Sequence, residues 1–202
     1  MKALVLIDIQ NDFLPGGALA VPEGDQVIPI VNRIQEHFDL VVATQDWHPE
    51  NHKSFASNHE GKNNFEVIQL QGLEQVLWPD HCLQGTPGAA FSEDLQMNKV
   101  EAIFRKGMDP EIDSYSGFYD NGYLKSTALA DYLRNKQVSE VYVAGLAGDY
   151  CVYFTAKDAL KEGFKTFVVE DACRPISLEG YERAKEIICE LGGNLVHSST
   201  FC

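Results

Sequence analysis

The sequence predicts an α/β fold, a three-layer sandwich around a central, mainly parallel sheet of six strands. Short runs of apolar and β-branched residues recur along the chain, and amphipathic helical patterns lie between them. The runs are continuously apolar, as expected for parallel strands that are buried on both faces. This alternation of strands and helices predicts right-handed crossovers and a single domain over residues 1–202.

Each of the six predicted strands is rich in Val, Ile, Leu or Phe, and only the last is weak. The first run, for example, reads KALVLID, and the fourth reads EVYVAG. In chain order the predicted strands span residues 2–8, 39–45, 101–106, 140–145, 165–170 and 194–198.

Four helices are predicted between the strands, each with a recognisable beginning or end. Pro29 is tolerated because it falls in the first turn of its helix. The second helix opens on hydroxyl side chains that can cap it, and the third ends at Gly163. The fourth lacks a capping box but closes on a double glycine. The predicted helices span residues 25–38, 126–136, 150–163 and 177–193.

Two long stretches, 46–100 and 107–125, interrupt this alternation and are rich in Gly, Pro, Asn, His and aromatic residues. Loops of this length in a small domain are usually functional. In open parallel sheets the ligand crevice lies beyond the carboxyl ends of the strands. We therefore expect the functional site there, with residues from about 46 to 100 as a metal-binding insertion.

Charge and composition exclude several classes of partner. Sixteen Lys and Arg residues stand against 30 Asp and Glu residues, for a net charge of −14. Nucleic acids and anionic membranes need basic patches, so neither is expected as a partner. No run approaches the roughly 20 apolar residues of a membrane span, and the N-terminal run lacks a cleavage pattern. Five scattered cysteines indicate reduced thiols, and a cytoplasmic location is expected.

Reactive side chains follow four of the predicted strands. Asp8 follows the first strand, Asp46 and His48 the second, Lys106 the third, and Cys151 the fourth after a glycine-rich turn. Because parallel strands end at the same edge, these groups should converge. A carboxylate, a lysine and a thiol in one place suit nucleophilic catalysis.

Each of these three residues also has a purely structural interpretation. Cys151 alone would more often be a small buried hydrophobe, but at a helix start the dipole favours the thiolate and backbone N–H groups can hold an oxyanion. Asp8 can cap a loop or accept the thiol proton. Lys106 can be a surface lysine or can keep Asp8 ionised.

A metal site is predicted separately from Asp46, His48 and His81. On an extended segment, residues two apart direct their side chains to the same side. One carboxylate and two imidazoles suit Zn²⁺, Fe²⁺ or Mn²⁺, which the spacing cannot separate. His52 and His59 lie in the same insertion and are expected to be solvated or outside the ligand set. Phe13 and Trp78 neighbour these candidates, so a flat aromatic ligand between them is expected.

Five motifs together resemble the nicotinamidase/pyrazinamidase family of isochorismatase-like cysteine hydrolases, from Met1 to about Pro175. One departure is Gly148, where the family usually has a threonine or a similar residue. The motifs, in chain order, are LVLIDIQNDFLPGGALAV, TQDWHPENHKSFA, WPDHCLQGTPGAAF, FRKGMDPEIDSYSGF and GLAGDYCVYFTAKDAL.

The resemblance implies a Rossmann-like fold and a role for each matching residue. The implied catalytic triad is Asp8, Lys106 and Cys151. The implied oxyanion hole consists of the N–H groups of Ala147 and Cys151, with a cis peptide between Leu146 and Ala147. The implied metal ligands are Asp46, His48 and His81, with Ser54 nearby through water, and the implied substrate-binding residues are Phe13, Trp78 and Tyr115.

The implied reaction is hydrolysis of nicotinamide to nicotinate and ammonia through a cysteine thioester, in NAD salvage, with pyrazinamide as a further substrate. One divalent metal ion, zinc ahead of iron or manganese, would orient the pyridine ring. A small molecule is thus the expected partner, and a homo-oligomer is compatible with the sequence. Three alternatives stay open: a hydrolase in which the metal activates water, a relative acting on another small amide, and a binding protein with a decayed site.

Overall fold

A computed structural model describes residues 1–201, and its core is a parallel sheet of six strands with helices on both faces. The predicted fold class is confirmed, and the sheet is parallel at every pairing. The elements are β1 (Lys2–Ile7), α1 (Val27–Ile34), β2 (Leu40–Asp46), β3 (Val67–Leu70), β4 (Leu73–Val76), β5 (Val100–Lys106), α2 (Leu129–Asn135), β6 (Glu140–Leu146), α3 (Tyr153–Lys161), β7 (Lys165–Arg174), α4 (Leu178–Glu190) and β8 (Asn194–Val196).

The strand order in the sheet is β5-β2-β1-β6-β7-β8. Successive side chains of a strand point to opposite faces, so Leu4 and Leu6 pack in one core and Ala3 and Val5 in the other. Helix α1 covers the first face, and α2, α3 and α4 cover the second. The four central strands are nearly continuously buried, which explains their apolar sequences.

The edge strand β5 departs from the continuous burial that its sequence suggested. Its residues alternate between partly buried and exposed, and Ile103 is 47% exposed. Helix boundaries are also tighter than predicted: α1 is flanked by 3₁₀ turns, and a π-helical turn at Gly148–Val152 precedes α3. None of the helices within residues 1–201 is long and apolar enough to cross a membrane.

The prediction missed a β-hairpin inside the insertion at 46–100, which was expected to be loop. Strands β3 and β4 pair antiparallel around Gln71 and Gly72, both with positive φ (52° and 79°). Two left-handed residues between short strands are typical of a tight hairpin turn. The alternation in VIQL before Gln-Gly was the signal for it.

Gly148, the departure from the family pattern, has a packing explanation. A Cβ at Gly148 would lie 2.9 Å from Cε2 of Tyr181, a buried residue of α4. The tyrosine ring therefore occupies the space that a side chain at 148 would need. The expectation that glycine loosens this turn is not met by the packing, because the ring closes over it.

We predict that Gly148→Ala lowers the free energy of unfolding by about 1–3 kcal/mol, the usual cost of overpacking. The same change in a Tyr181→Leu background should cost less, because the smaller side chain leaves room for a methyl group. Urea unfolding of the two single variants and the double variant measures this coupling. An equal cost in both backgrounds would contradict the packing explanation.

Candidate active site

The strand ends at the carboxyl edge of the sheet bring the predicted site residues together. Asp46 and Lys106 are register partners at the ends of β2 and β5. Asp8 directly follows β1, whose Ile7 pairs with Gly145 of β6. One ligand atom each of Asp8, Asp46 and Cys151 lies within 4.8 Å of the others. The predicted convergence of these groups is confirmed.

Lys106 is the centre of this cluster, and its ammonium group is fully buried. Its Nζ lies 2.8 Å from Asp8 Oδ2 and donates to Asp46 Oδ1 at 2.5 Å. It also donates to the Ser114 carbonyl at 3.1 Å and to Cys151 Sγ at 3.4 Å. The surface-lysine interpretation of Lys106 is therefore wrong.

Asp8 is held so that one carboxylate oxygen remains available. Thr44 Oγ1 donates to Asp8 Oδ1 at 2.7 Å. Asp8 Oδ2 has the Lys106 ammonium nearby but accepts no well-aligned hydrogen bond from residues 1–201. This oxygen is therefore free to accept a proton from the neighbouring Cys151 thiol.

Burial governs the protonation states in this cluster. It raises the pKa of Asp8, against the attraction of Lys106. For Asp46, burial is outweighed mainly by Lys106 and His48, which hold the pKa well below its usual range. For Lys106, burial is outweighed by the two carboxylates, which raise the pKa well above its usual range. The ammonium and the Asp46 carboxylate are thus both charged.

The sequence-based expectation of a Cys151 thiolate is wrong in direction. Burial raises the pKa of Cys151 well above its usual range, Asp8 and Asp46 raise it further, and Lys106 opposes them only in part. The helix end was expected to dominate, but complete burial beside two carboxylates outweighs it. The resting group is a thiol, so a base must remove its proton before it can act as a nucleophile.

The turn that carries Cys151 has the backbone geometry that the resemblance implied. The Leu146–Ala147 peptide is cis, as expected. Gly145 has a φ of +132°, and a Cβ there would lie 2.2 Å from the Ile7 carbonyl oxygen, so only glycine fits. Ala147 and Cys151 both line the pocket. Their role as an oxyanion hole stays a prediction.

Asp46, His48 and His81 converge as a metal-ligand set. Asp46 Oδ2 lies 3.6 Å from His48 Nε2 and 3.8 Å from His81 Nε2. The Nδ1 atoms of the two rings lie 2.9 Å from the Gly107 carbonyl oxygen and 2.8 Å from the Pro79 carbonyl oxygen. Backbone acceptors of this kind fix the tautomer and direct Nε2 to a metal. The donor set therefore fits a borderline divalent cation.

His52 and His59 differ from each other in the structure. His52 is fully buried, so the expectation of a solvated ring is wrong for it. Its Nδ1 lies 2.7 Å from Ser54 Oγ, and its Nε2 has no hydrogen-bond partner within residues 1–201. Burial lowers the pKa of His52 to about 4, so the ring is neutral at pH 7. His59 lies outside the ligand set, with Nε2 2.7 Å from the Lys53 carbonyl oxygen.

A pocket of about 340 Å³ adjoins both the thiol and the metal-ligand set, at the small end of the range for ligand sites. The expected aromatic residues are all present in it, and Trp78 Nε1 donates to the Tyr115 hydroxyl at 3.2 Å. The sequence did not single out four further lining residues. Tyr150 was foreshadowed only by its position beside Cys151, and no pattern marked the others, which are Leu19, Asp113 and Ile176.

An α/β sandwich with a buried Asp-Lys-Cys cluster and an adjoining metal-ligand set at the carboxyl edge of its sheet defines a class of cysteine-dependent hydrolases. Residues 2–199 match the model of the isochorismatase domain, and the chain belongs to this family.

Several relatives and solved structures are similar to the chain over nearly its whole length. The nicotinamidase of Escherichia coli K12 is 48% identical over 187 residues, which cover 91% of this chain and 87% of that protein. The structure of an Acinetobacter baumannii nicotinamidase/pyrazinamidase is 48% identical, with a TM-score of 0.97 over 100% of this chain and 98% of the other. A pyrazinamidase of Pyrococcus horikoshii in complex with zinc is 42% identical, with a TM-score of 0.80 over 97% and 98% of the two chains.

We predict that Lys106→Met lowers the free energy of unfolding by about 3–5 kcal/mol in a chelating buffer, because it leaves Asp8 and Asp46 buried without a cation. Lys53→Met is the matched control, since Lys53 forms an exposed ion pair with Glu111. Its effect should stay within about 0.5 kcal/mol. Urea unfolding measures both, and equal effects would contradict the central role of Lys106.

Proposed function

We propose that this chain hydrolyses nicotinamide to nicotinate and ammonia through a thioester on Cys151, and that it acts in NAD salvage. The observation that carries the proposal is the buried contact of Lys106 with Asp8 and Cys151 at the floor of a small aromatic pocket. The 48% identity to a nicotinamidase over most of the chain supports this substrate.

In the proposed first half-reaction, Asp8 Oδ2 takes the thiol proton and Sγ of Cys151 attacks the amide carbonyl carbon. Lys106 balances the charge of the Asp8 carboxylate and stabilises the thiolate as it forms. The oxyanion is held by the N–H groups of Ala147 and Cys151. When the C–N bond breaks, Asp8 returns the proton to the leaving group, which departs as ammonia.

The second half-reaction releases the acid and restores the thiol. Asp8, again a carboxylate, removes a proton from a water molecule, and the resulting hydroxide attacks the thioester carbonyl. The same two N–H groups hold the second oxyanion. The C–S bond then breaks, nicotinate is released, and the Cys151 thiolate recovers its proton from Asp8.

Substrate positioning is assigned to the aromatic wall and the metal-ligand set. Phe13 and Trp78 would hold the flat pyridine ring, with Tyr115 beside them. Asp46, His48 and His81 would hold a divalent cation, which supplies Lewis-acid coordination of a ring nitrogen and so orients the ring. We propose zinc ahead of iron or manganese, because zinc is bound in the Pyrococcus horikoshii pyrazinamidase. Pyrazinamide also carries ring nitrogens and is proposed as a further substrate.

We further propose that residues 1–202 act as one hydrolase domain in the cytoplasm, with the insertion at about 46–100 supplying the metal ligands. A metal-activated water as the attacking group is the rival mechanism. The two mechanisms differ in what happens when Cys151 is removed.

We predict that Cys151→Ala lowers kcat for ammonia release by about 10⁴- to 10⁶-fold, as loss of a nucleophile does in other hydrolases, while nicotinamide binding is retained. Cys173→Ala is the control, because Cys173 is buried outside the pocket and should be dispensable. Mass spectrometry of the wild-type protein incubated with nicotinamide should find an acyl adduct on Cys151. Retained turnover in Cys151→Ala, without an adduct, would favour the rival mechanism.

We predict that removal of the cation by chelation raises KM for nicotinamide by about tenfold or more, the equivalent of at least about 1.4 kcal/mol of binding. Benzamide, which lacks the ring nitrogen, should be insensitive to chelation. Elemental analysis before and after readdition of zinc, iron or manganese identifies the ion that restores KM. A chelation effect of the same size on both amides would contradict ring orientation by the cation.

A further inference from the structure

The mechanism above leaves Asp113 unused, although this buried residue lines the pocket. Its Oδ1 accepts a hydrogen bond from Ser114 N at 2.8 Å, and its Oδ2 accepts one from Gln75 Nε2 at 3.1 Å. No lysine or arginine of residues 1–201 forms an ion pair with it. An ionised carboxylate buried with only neutral partners is costly, so a cation nearby is needed to offset that cost.

Asp113 meets the metal-ligand set at His48. One ligand atom each of His48, His52 and Asp113 lies within 4.8 Å of the others, and His48 is also one of the three predicted ligands. His52 Nε2 is buried in this region without a hydrogen-bond partner within the described chain. Two independent features, a carboxylate without a cation and a ring nitrogen without a partner, therefore face the same space beside the metal-ligand set.

The charges of the site lead to the same place. The three buried carboxylates of Asp8, Asp46 and Asp113 accompany a single buried ammonium, that of Lys106. With neutral imidazoles and a protonated thiol, this leaves two negative charges in a region screened from water. One divalent cation balances them, and it does so only if Asp113 is counted with the site.

We propose that Asp113 is a positioning residue of the cation site, which raises the affinity for a divalent cation from outside the set of Asp46, His48 and His81. Its carboxylate and His52 Nε2 form the polar wall beside the three ligands. Ser114 N and Gln75 hold the carboxylate in place, so the β3–β4 hairpin, which contributes Gln75, supports the cation site. This inference rests on the cation site of the proposed function.

The test is the zinc affinity of the metal-free protein without substrate, measured by competition with a chromophoric chelator. Asp113→Asn keeps the shape of the side chain but loses its charge, and it should weaken zinc binding by about 10–100-fold, as loss of an outer partner of a metal site does. Asp113→Glu keeps the charge and should retain more affinity than Asp113→Asn.

Asp158→Asn is the matched control. Asp158 is also buried, accepts a hydrogen bond from the Tyr123 hydroxyl and does not line the catalytic pocket, so its loss should leave zinc affinity unchanged. Thermal unfolding of each metal-free variant shows that it is folded before zinc is added. The visible spectrum of the cobalt-substituted protein reports the ligand geometry independently of activity.

Equal zinc affinity in wild-type protein and Asp113→Asn overturns this inference and leaves the proposed function standing. Equal losses in Asp113→Asn and Asp113→Glu overturn it as well, because packing and not charge would then be responsible. If the wild-type protein binds zinc no better than Asp46→Ala does, the cation site of the proposed function fails and the inference fails with it.

Discussion

One buried ammonium group, that of Lys106, is the contact on which the arrangement of the site depends. Its Nζ lies between Asp8 and Asp46, so the same charge serves the proposed catalytic carboxylate and a predicted metal ligand. By taking Oδ1 of Asp46 it leaves Oδ2 facing His48 and His81. Without this ammonium, two carboxylates would be buried close together, and neither could stay ionised at low cost.

The parallel sheet makes that contact possible, because it ends β1, β2 and β5 at one edge. The register pairs Asp46 with Lys106 directly, and Asp8 follows the strand on the other side of β2. The next strand, β6, delivers the turn with Cys151 to the same edge. The insertion closes the site from above: it supplies His81 and Trp78, and its hairpin tethers Asp113 and Tyr115 through Gln75.

Local patterns were sufficient for the strands, the helices and the order of the motifs. Continuous apolar runs marked the buried strands, and the residues at their ends marked the site. The hairpin at 67–76 was missed because its strands are short and largely exposed, so they lack the apolar signal of the central sheet. The packing of Tyr181 against Gly148 joins segments far apart in sequence, and no local pattern could reveal it.

The sequence by itself determined the fold class, the family resemblance and the residue types that meet at the sheet edge, because these depend on periodicity and spacing along the chain. Only the tertiary structure decided the protonation state of Cys151, the burial of His52 and the place of Asp113. Each of these depends on exclusion of water and on charges contributed by distant segments, and Coulomb energies change severalfold between exposed and buried surroundings. A sequence lists the charged groups but does not contain the distances between them or their burial.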